Sequence, residues 1–81
     1  MNQHFASLVL GLGAQAEQAL DGTLAGIPAG AAPRDVARAL IDTLGMLEAK
    51  TAGRLDVEEG QLLTQTLTAL RFRFVQTEPR T

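Results

Sequence analysis

The sequence predicts an all-α protein of three amphipathic helices, of which the last two form an antiparallel hairpin. Two observations lead to this prediction. Apolar residues recur every three or four positions in three separate segments, and this spacing places them on one side of a helix. Between the second and third segments, Gly53 is a helix stop signal and Asp56 is a start signal. Because this connection is so short, the two helices are expected to run antiparallel.

The first helix is predicted over residues 3–21, with Gly22 at its end. Leu10 lies on the polar side of this helix. Gly11 and Gly13, in its interior, each cost roughly 1 kcal/mol relative to Ala, and close approach of another helix is the usual compensation. The core-facing apolar positions share one arc: Phe5, Leu8, Val9, Leu12, Ala16, Ala19 and Leu20.

The second helix is predicted over residues 34–52, after a flexible loop at 22–33 that is rich in glycine and contains two prolines. Gly53 follows the helix at the position where a positive φ favours glycine. The apolar arc of this helix is wide enough to contact two neighbours at once. It contains Val36, Ala37, Leu40, Ile41, Leu44, Leu47 and Thr51.

The third helix is predicted over residues 56–76 and begins with an acidic capping box. In this motif Asp56 caps the first turn and Glu59 reaches back to the cap. Residues 77–81 are predicted to be a frayed tail, so that residues 1–81 form one small helical domain. The apolar seam of the third helix consists of Leu63, Leu67, Leu70 and Phe74.

Chain length and composition predict self-association. A chain of 81 residues buries only about 60–65% of the surface that its unfolded form exposes, so its core is marginal. The sequence has no Cys and one His, which excludes disulfides and thiolate or imidazole metal sites as added stabilisation. We therefore predict a homo-oligomeric helical bundle, with a dimer favoured. The formal net charge of −2 provides no global field that would recruit nucleic acid or an anionic membrane.

The N-terminal apolar run at residues 5–14 resembles the core of a signal peptide. The residues before it contain no Lys or Arg, whereas a signal peptide carries a basic segment there. The run is also too short to cross a bilayer. We therefore expect a cytoplasmic protein without a membrane partner.

No residue pattern indicates an enzyme or a cofactor. Residues 11–16 match the dinucleotide-binding pattern G-x-G-x-x-A, but no second strand follows that could complete a βαβ unit. His4 has no second ligand or partner carboxylate at helical spacing. Glu58 and Glu59 lie in the first turn of a helix, where negative charge is favourable for structural reasons. We therefore predict no catalytic, cofactor-binding or metal-binding residues.

Residues 71–74 alternate basic and aromatic side chains, a pattern that can bind single-stranded nucleic acid. On a helix these four side chains point in different directions, which divides the basic patch. We therefore favour an apolar surface formed by Leu62, Phe72 and Val75, used for self-association or for a protein partner.

Asp42 lies off the apolar arc of the second helix, four residues after Arg38. Residue chemistry favours a local ion pair between the two, which contributes a few tenths of a kcal/mol. The alternative pairs Asp42 with an arginine of the third helix of another subunit.

The predicted function is a non-enzymatic protein–protein interaction module, an adaptor or regulator of an unknown process. The alternative is an accessory nucleic-acid-binding protein that uses Arg71 and Arg73. The candidate interface residues are Leu10, Gly11, Asp42, Leu62, Arg71, Phe72, Arg73 and Val75.

Three groups of residues carry a resemblance to a known family: Phe5, Leu12, Gln15 and Ala16; Ile41, Asp42, Lys50, Thr51 and Gly53; and Leu70, Arg71, Arg73, Phe74 and Val75. In this order and spacing they resemble the small bacterial family catalogued as domain of unknown function eighteen forty-four. Arg54 stands where that family usually has Asn, and the loop at 22–33 is unusually rich in Ala and Gly. The resemblance implies a short cytoplasmic helical protein with no established activity. It also implies a shared structural or interfacial role for Asp42, Lys50, Thr51, Arg71 and Arg73.

Overall fold

The computed structural model describes residues 1–26 and 30–76, and in this part of the chain the protein is a bundle of three α-helices. The helices are α1 (Gln3–Asp21), α2 (Pro33–Lys50) and α3 (Val57–Gln76). The predicted all-α fold is therefore confirmed. The tail predicted at 77–81 and the centre of the predicted loop, residues 27–29, lie outside the described residues.

α1 begins and ends at signals in its own sequence, at the predicted positions. The side-chain oxygen of Asn2 accepts hydrogen bonds from the backbone N–H groups of His4 (2.9 Å) and Phe5 (3.0 Å). These two groups would otherwise lack a partner, because the first turn of a helix has no preceding carbonyls. Gly22 ends the helix with a φ of 75°, and its N–H donates to the carbonyl of Ala19.

α2 starts one residue before its predicted start and stops two residues before its predicted end. Pro33 occupies the first helical position, where its missing N–H leaves no bond unmade. At the other end, the Thr51 hydroxyl donates to the Leu47 carbonyl at 2.7 Å. The Thr51 N–H donates to the same carbonyl, so the helix closes at Lys50. The chain then turns through Gly53, whose φ of 77° confirms the predicted positive value.

The predicted capping box at the start of α3 is present. The Glu59 N–H donates to Asp56 Oδ1 (2.8 Å), and the Asp56 N–H donates to Glu59 Oε1 (3.0 Å). Each residue thus satisfies a backbone group of the other. The helix itself begins at Val57, immediately after its cap.

Aliphatic side chains from all three helices form the core. The predicted seam of α3 is buried except for Phe74, which is partly buried and packs against the others. Leu8 was predicted to face the core and is exposed, because it lies at the edge of the apolar arc of α1, beyond the part that the neighbouring helices cover. The buried cluster consists of Val9, Ala16, Ile41, Leu44, Leu63, Leu67 and Leu70.

α1 runs parallel to α3, and α2 runs antiparallel to both. The Asn2 N–H at the start of α1 donates to Glu59 in the first turn of α3, and Asp21 at the end of α1 contacts Arg73 near the end of α3. The start of α2 lies beside the end of α3, so the predicted antiparallel hairpin is confirmed.

α1 and α3 approach each other closely at Gly13. A Cβ added to this buried glycine would lie 2.9 Å from Cγ2 of Thr66, so only glycine fits without a shift. The close helix contact predicted for the glycines of α1 is therefore confirmed at Gly13. Among residues 1–26 and 30–76, Gly11 has no such neighbour within 4 Å.

Candidate interaction surface

The outward face of α3 carries, in the last two turns of the helix, two large apolar side chains that the core does not use. Phe72 is 65% exposed and Val75 is 66% exposed. They are three residues apart, so they lie on adjacent turns of one face. Phe72 follows the buried Leu70 by two residues, which places it on the far side of the helix from the core. Both side chains are thus outside the core, as the sequence predicted.

A groove of about 410 Å³ between α1 and α3 borders this face. Leu10, which is 56% exposed, forms part of its wall, and the buried residues Gly13 and Leu70 contribute to its lining. Ala69 also lines the groove and lies about one turn before Phe72. Leu10 and Phe72 therefore border one continuous surface.

A second cleft, of about 220 Å³, lies between α2 and α3 on the other side of the same face. We call it the α2–α3 cleft. Val75 belongs both to this cleft and to the outward face of α3. The lining combines apolar and charged side chains: Arg38, Ile41, Asp42, Arg71, Phe74 and Val75.

The guanidinium of Arg71 lies against α2 at Gly45. A Cβ added to Gly45 would lie 3.2 Å from Nη2 of Arg71, so the absence of a side chain makes room for the guanidinium. Across residues 1–26 and 30–76, Arg38, Asp42 and Arg71 form no ion pair within 4.0 Å. The favoured local pair between Arg38 and Asp42 is therefore not formed, although both line the cleft.

Arg73 makes a contact between two helices of the bundle. Its Nη2 contacts Oδ1 of Asp21, which joins the end of α3 to the end of α1. Arg71 therefore points toward α2 and Arg73 toward α1, while Phe72 between them faces outward. This arrangement confirms that the helix divides the basic and aromatic segment at 71–74.

Arg34 holds Phe74 in place and was not identified from the sequence. Its guanidinium carbon lies 3.8 Å from the centre of the Phe74 ring, a cation–π distance. Its Nη2 donates to the Phe74 carbonyl at 3.4 Å, whereas its buried Nε has no hydrogen-bond partner in the described part of the chain. The two residues are 40 positions apart, so no local pattern could have revealed the contact.

At the opposite end of the bundle, Glu59 joins the starts of α1 and α3. Only 8% of this residue is exposed, and its second oxygen, Oε2, accepts from the Asn2 N–H at 2.8 Å. The Glu59 N–H, donating to Asp56, lowers the pKa of the Asp56 carboxyl, and the terminal amine of Met1 acts in the same direction. That amine lies 3.2 Å from Asp56 Oδ2, and this contact raises the pKa of the amine. These contacts cap helices and join their starts, so we assign the cluster to structure.

The glycine pattern at 11–16 lies inside α1, so the backbone there is helical and forms no phosphate-binding turn. His4 is exposed in the first turn of α1. Within residues 1–26 and 30–76, no three His, Cys, Asp or Glu side chains are grouped so that they could hold a metal ion. A search of the same residues found no helix with the length and apolarity needed to cross a membrane.

Comparison with known proteins adds a family. The family model described as Domain of unknown function (DUF1844) matches residues 2–76. The chain belongs to this family. The match covers all three helices, which confirms the resemblance seen in the sequence. Searches of curated proteins and of solved structures returned no match.

In this DUF1844 protein, two of the candidate interface residues have surroundings other than those predicted. Leu62 was predicted to lie outside the core, but it is partly buried and packs against it. It lies about 140° around α3 from Val75, on the side where Thr66 meets α1. Gly11 was expected at a close contact, but no described residue lies within 4 Å of a Cβ added there, so its role in a contact between chains stays a prediction.

Proposed function

We propose that this DUF1844 protein is a non-enzymatic protein–protein interaction module that works as a homodimer and acts as an adaptor or regulator. The observation that carries the proposal is the exposure of Phe72 and Val75 on one face of α3. Leu10 extends this apolar surface across the neighbouring groove. Large apolar side chains, aromatic ones above all, are enriched where proteins meet. We also propose that the protein is cytoplasmic.

The modest core of the bundle supports self-association. In a chain of this size, the apolar area buried within one copy contributes little beyond the entropy lost on folding. A second copy that covers Phe72 and Val75 would add roughly 25 cal/mol for each Å² of apolar surface removed from water. The largest fully buried side chains in the described residues are Val9, Leu44, Leu63, Leu67 and Leu70.

Binding of nucleic acid has less support. Arg71 and Arg73 lie on opposite sides of α3, and Arg73 is already paired with Asp21. A single strand would therefore meet no continuous basic groove beside the exposed Phe72, which is what such binding requires.

Sedimentation equilibrium at micromolar concentration tests the proposal. We expect the wild-type protein to be a dimer and Phe72→Glu to weaken association at least tenfold, because the variant buries a charge that has no partner. Leu8→Glu is the matched control. Like Phe72, Leu8 is a large apolar side chain exposed to solvent. It lies about 160° around α1 from Leu10, which is the residue of α1 that belongs to the proposed surface. The control should associate like the wild type.

Two outcomes would count against the proposal. A wild-type protein that stays monomeric at all concentrations would refute self-association. Equal weakening by Phe72→Glu and Leu8→Glu would refute the assigned surface. A salt titration separates the alternative function, since binding of an oligonucleotide falls steeply between about 50 and 200 mM salt, whereas an apolar dimer contact responds little.

A further inference from the structure

Resting on the proposed self-association, we infer that a second copy of this chain docks at the α2–α3 cleft. In this arrangement Asp42 of each copy pairs with Arg71 of the other. The α2–α3 cleft is thus the surface used, and the two charged contacts fix the orientation of the two copies.

The cleft carries charges of both signs that are not paired with any residue in the described part of the chain. Arg38, Asp42 and Arg71 are exposed and line one cleft, yet none of them has an ion-pair partner in residues 1–26 and 30–76. A two-fold interface requires a surface that complements itself, because each residue i that contacts residue j is matched by j contacting i. A patch with one carboxylate and nearby guanidinium groups meets that requirement.

The cleft also has room for one of these charges beside α2. Gly45 leaves space on α2 for the Arg71 guanidinium, which lies across the backbone there. A guanidinium in this place can bind a carboxylate with two parallel N–H···O bonds, a geometry that specifies orientation as well as contributing affinity.

The surroundings of the cleft favour a contact from which water is excluded. Val75 lines the cleft and continues onto the outward face beside Phe72. A second copy that covers these side chains would place the pair of Asp42 and Arg71 beside apolar surface. Ion pairs are stronger and less screened by salt when they are removed from water.

The same charges distinguish a second copy from an acidic partner. An acidic peptide entering the cleft would be attracted by Arg38 and Arg71 but would leave Asp42 without a partner of opposite charge. A second copy brings both a carboxylate and a guanidinium, so Asp42 and Arg71 of each copy both meet an opposite charge. The observations therefore favour a second copy as the occupant.

Charge-reversed variants test the inference. We expect Asp42→Arg and Arg71→Asp each to weaken self-association at least tenfold, because like charges would then face each other twice across the two-fold axis. An equimolar mixture should form heterodimers with near wild-type affinity, since both contacts in the mixed pair join opposite charges. The two variants differ in mass, so native mass spectrometry identifies the heterodimer directly.

The matched control reverses charges at the other end of the bundle. Glu58→Arg and Arg54→Asp are both at exposed positions in or beside the turn before α3, and they should self-associate like the wild type and mix at random. Circular dichroism of each variant alone checks folding. The neutral variants Asp42→Asn and Arg71→Gln should weaken association less than the reversed ones.

The outcomes separate the two proposals. A wild-type dimer that Phe72→Glu dissociates, but whose charge-reversed variants show no preference for heterodimers, would overturn the cleft pairing and leave the interaction module standing. A wild-type monomer would overturn both. Restored association on mixing supports the pairing, because a role inside one chain cannot respond to the presence of a second variant.

Discussion

Three glycines inside the helices have three different surroundings. A methyl group at Gly13 would meet the short, branched side chain of Thr66 at 2.9 Å, and one at Gly45 would meet the end of the long Arg71 side chain at 3.2 Å. A methyl group at Gly11 would meet no atom of the described residues within 4 Å. Thr66 cannot easily move because branching at Cβ restricts its rotamers, whereas Arg71 can. Of these three glycines, Gly13 is therefore the one that the packing of the described helices requires.

Alanine substitutions at two of these positions should have opposite effects on stability. We expect Gly11→Ala to raise the free energy of unfolding by up to about 1 kcal/mol, the difference in helix propensity. Gly13→Ala should lower it by about 1 kcal/mol, because the cost of overpacking exceeds the same propensity gain. Urea unfolding midpoints at one protein concentration measure both. A stabilised Gly13→Ala variant would show that α1 and α3 do not approach closely.

The sequence flagged both glycines of α1 but could not assign their neighbours. The cost of glycine in a helix follows from the residue alone. Which glycine meets another helix depends on how the two helices cross, and that is fixed by packing over the whole bundle. The same reason explains why Leu62, judged from α3 alone, was placed outside the core.

The start of α3 shows how completely a helix end can be encoded locally. Asp56 and Glu59, three residues apart, each donate a backbone N–H to the carboxylate of the other, and Gly53 takes the positive φ that reverses the chain. All of these features were predicted because each depends only on near neighbours. The contact between Arg34 and Phe74 was not predicted, since it depends on the alignment of two helices.

Lowering the pH should show how much the Asp56 carboxylate contributes to the stability of the folded protein. Its pKa is lowered in the folded protein, mainly by the hydrogen bond from the Glu59 N–H. The stabilisation is complete above the ordinary aspartate pKa of about 3.9 and is lost as pH falls through the lower folded-state pKa. Asp56→Asn keeps a good helix cap without this titration. Wild type should therefore melt higher than the variant near neutral pH, and the difference should shrink toward about pH 2.

The measurement is the melting temperature of both proteins over this pH range. All other carboxylates are common to the two proteins, so their titration cancels in the difference. A difference that does not change with pH would show that the charge on Asp56 does not stabilise the fold. Asp56→Ala, which loses the cap as well, should melt below wild type even at the lowest pH.

At the scale of the whole molecule, one chain leaves apolar surface uncovered at several places. Phe72 and Val75 on α3 and Leu10 on α1 are each more than half exposed. Their exposure could be predicted because the arcs of the helices leave them no place inside a three-helix core. The positions of the groove between α1 and α3 and of the α2–α3 cleft could not be predicted, since they depend on the packing of all three helices.

The melting temperature of the wild type should rise with protein concentration. A dimer that unfolds to two chains gains stability by mass action, and about 2.1 cal/mol/K per residue of unfolding entropy gives a rise of roughly 4 °C for each tenfold increase in concentration. Calorimetry over two decades of concentration measures this. The Phe72→Glu variant serves as the comparison and should melt at nearly constant temperature. A wild-type melt that is equally constant would indicate a monomer.

The hydrogen bond from the Asn2 N–H to Glu59 has a consequence for how the protein is made. The acceptor lies 57 residues downstream of the donor, and ribosomes add about 5–20 residues per second. Roughly 3–11 seconds therefore pass during synthesis before the partner of the Asn2 N–H exists. Val9 and Ala16, on the core-facing side of α1, likewise cannot be buried against the seam of α3 until that helix has been made. α1 is synthesised before α3 but is thus completed only after it, and it remains open to other contacts until α3 has emerged.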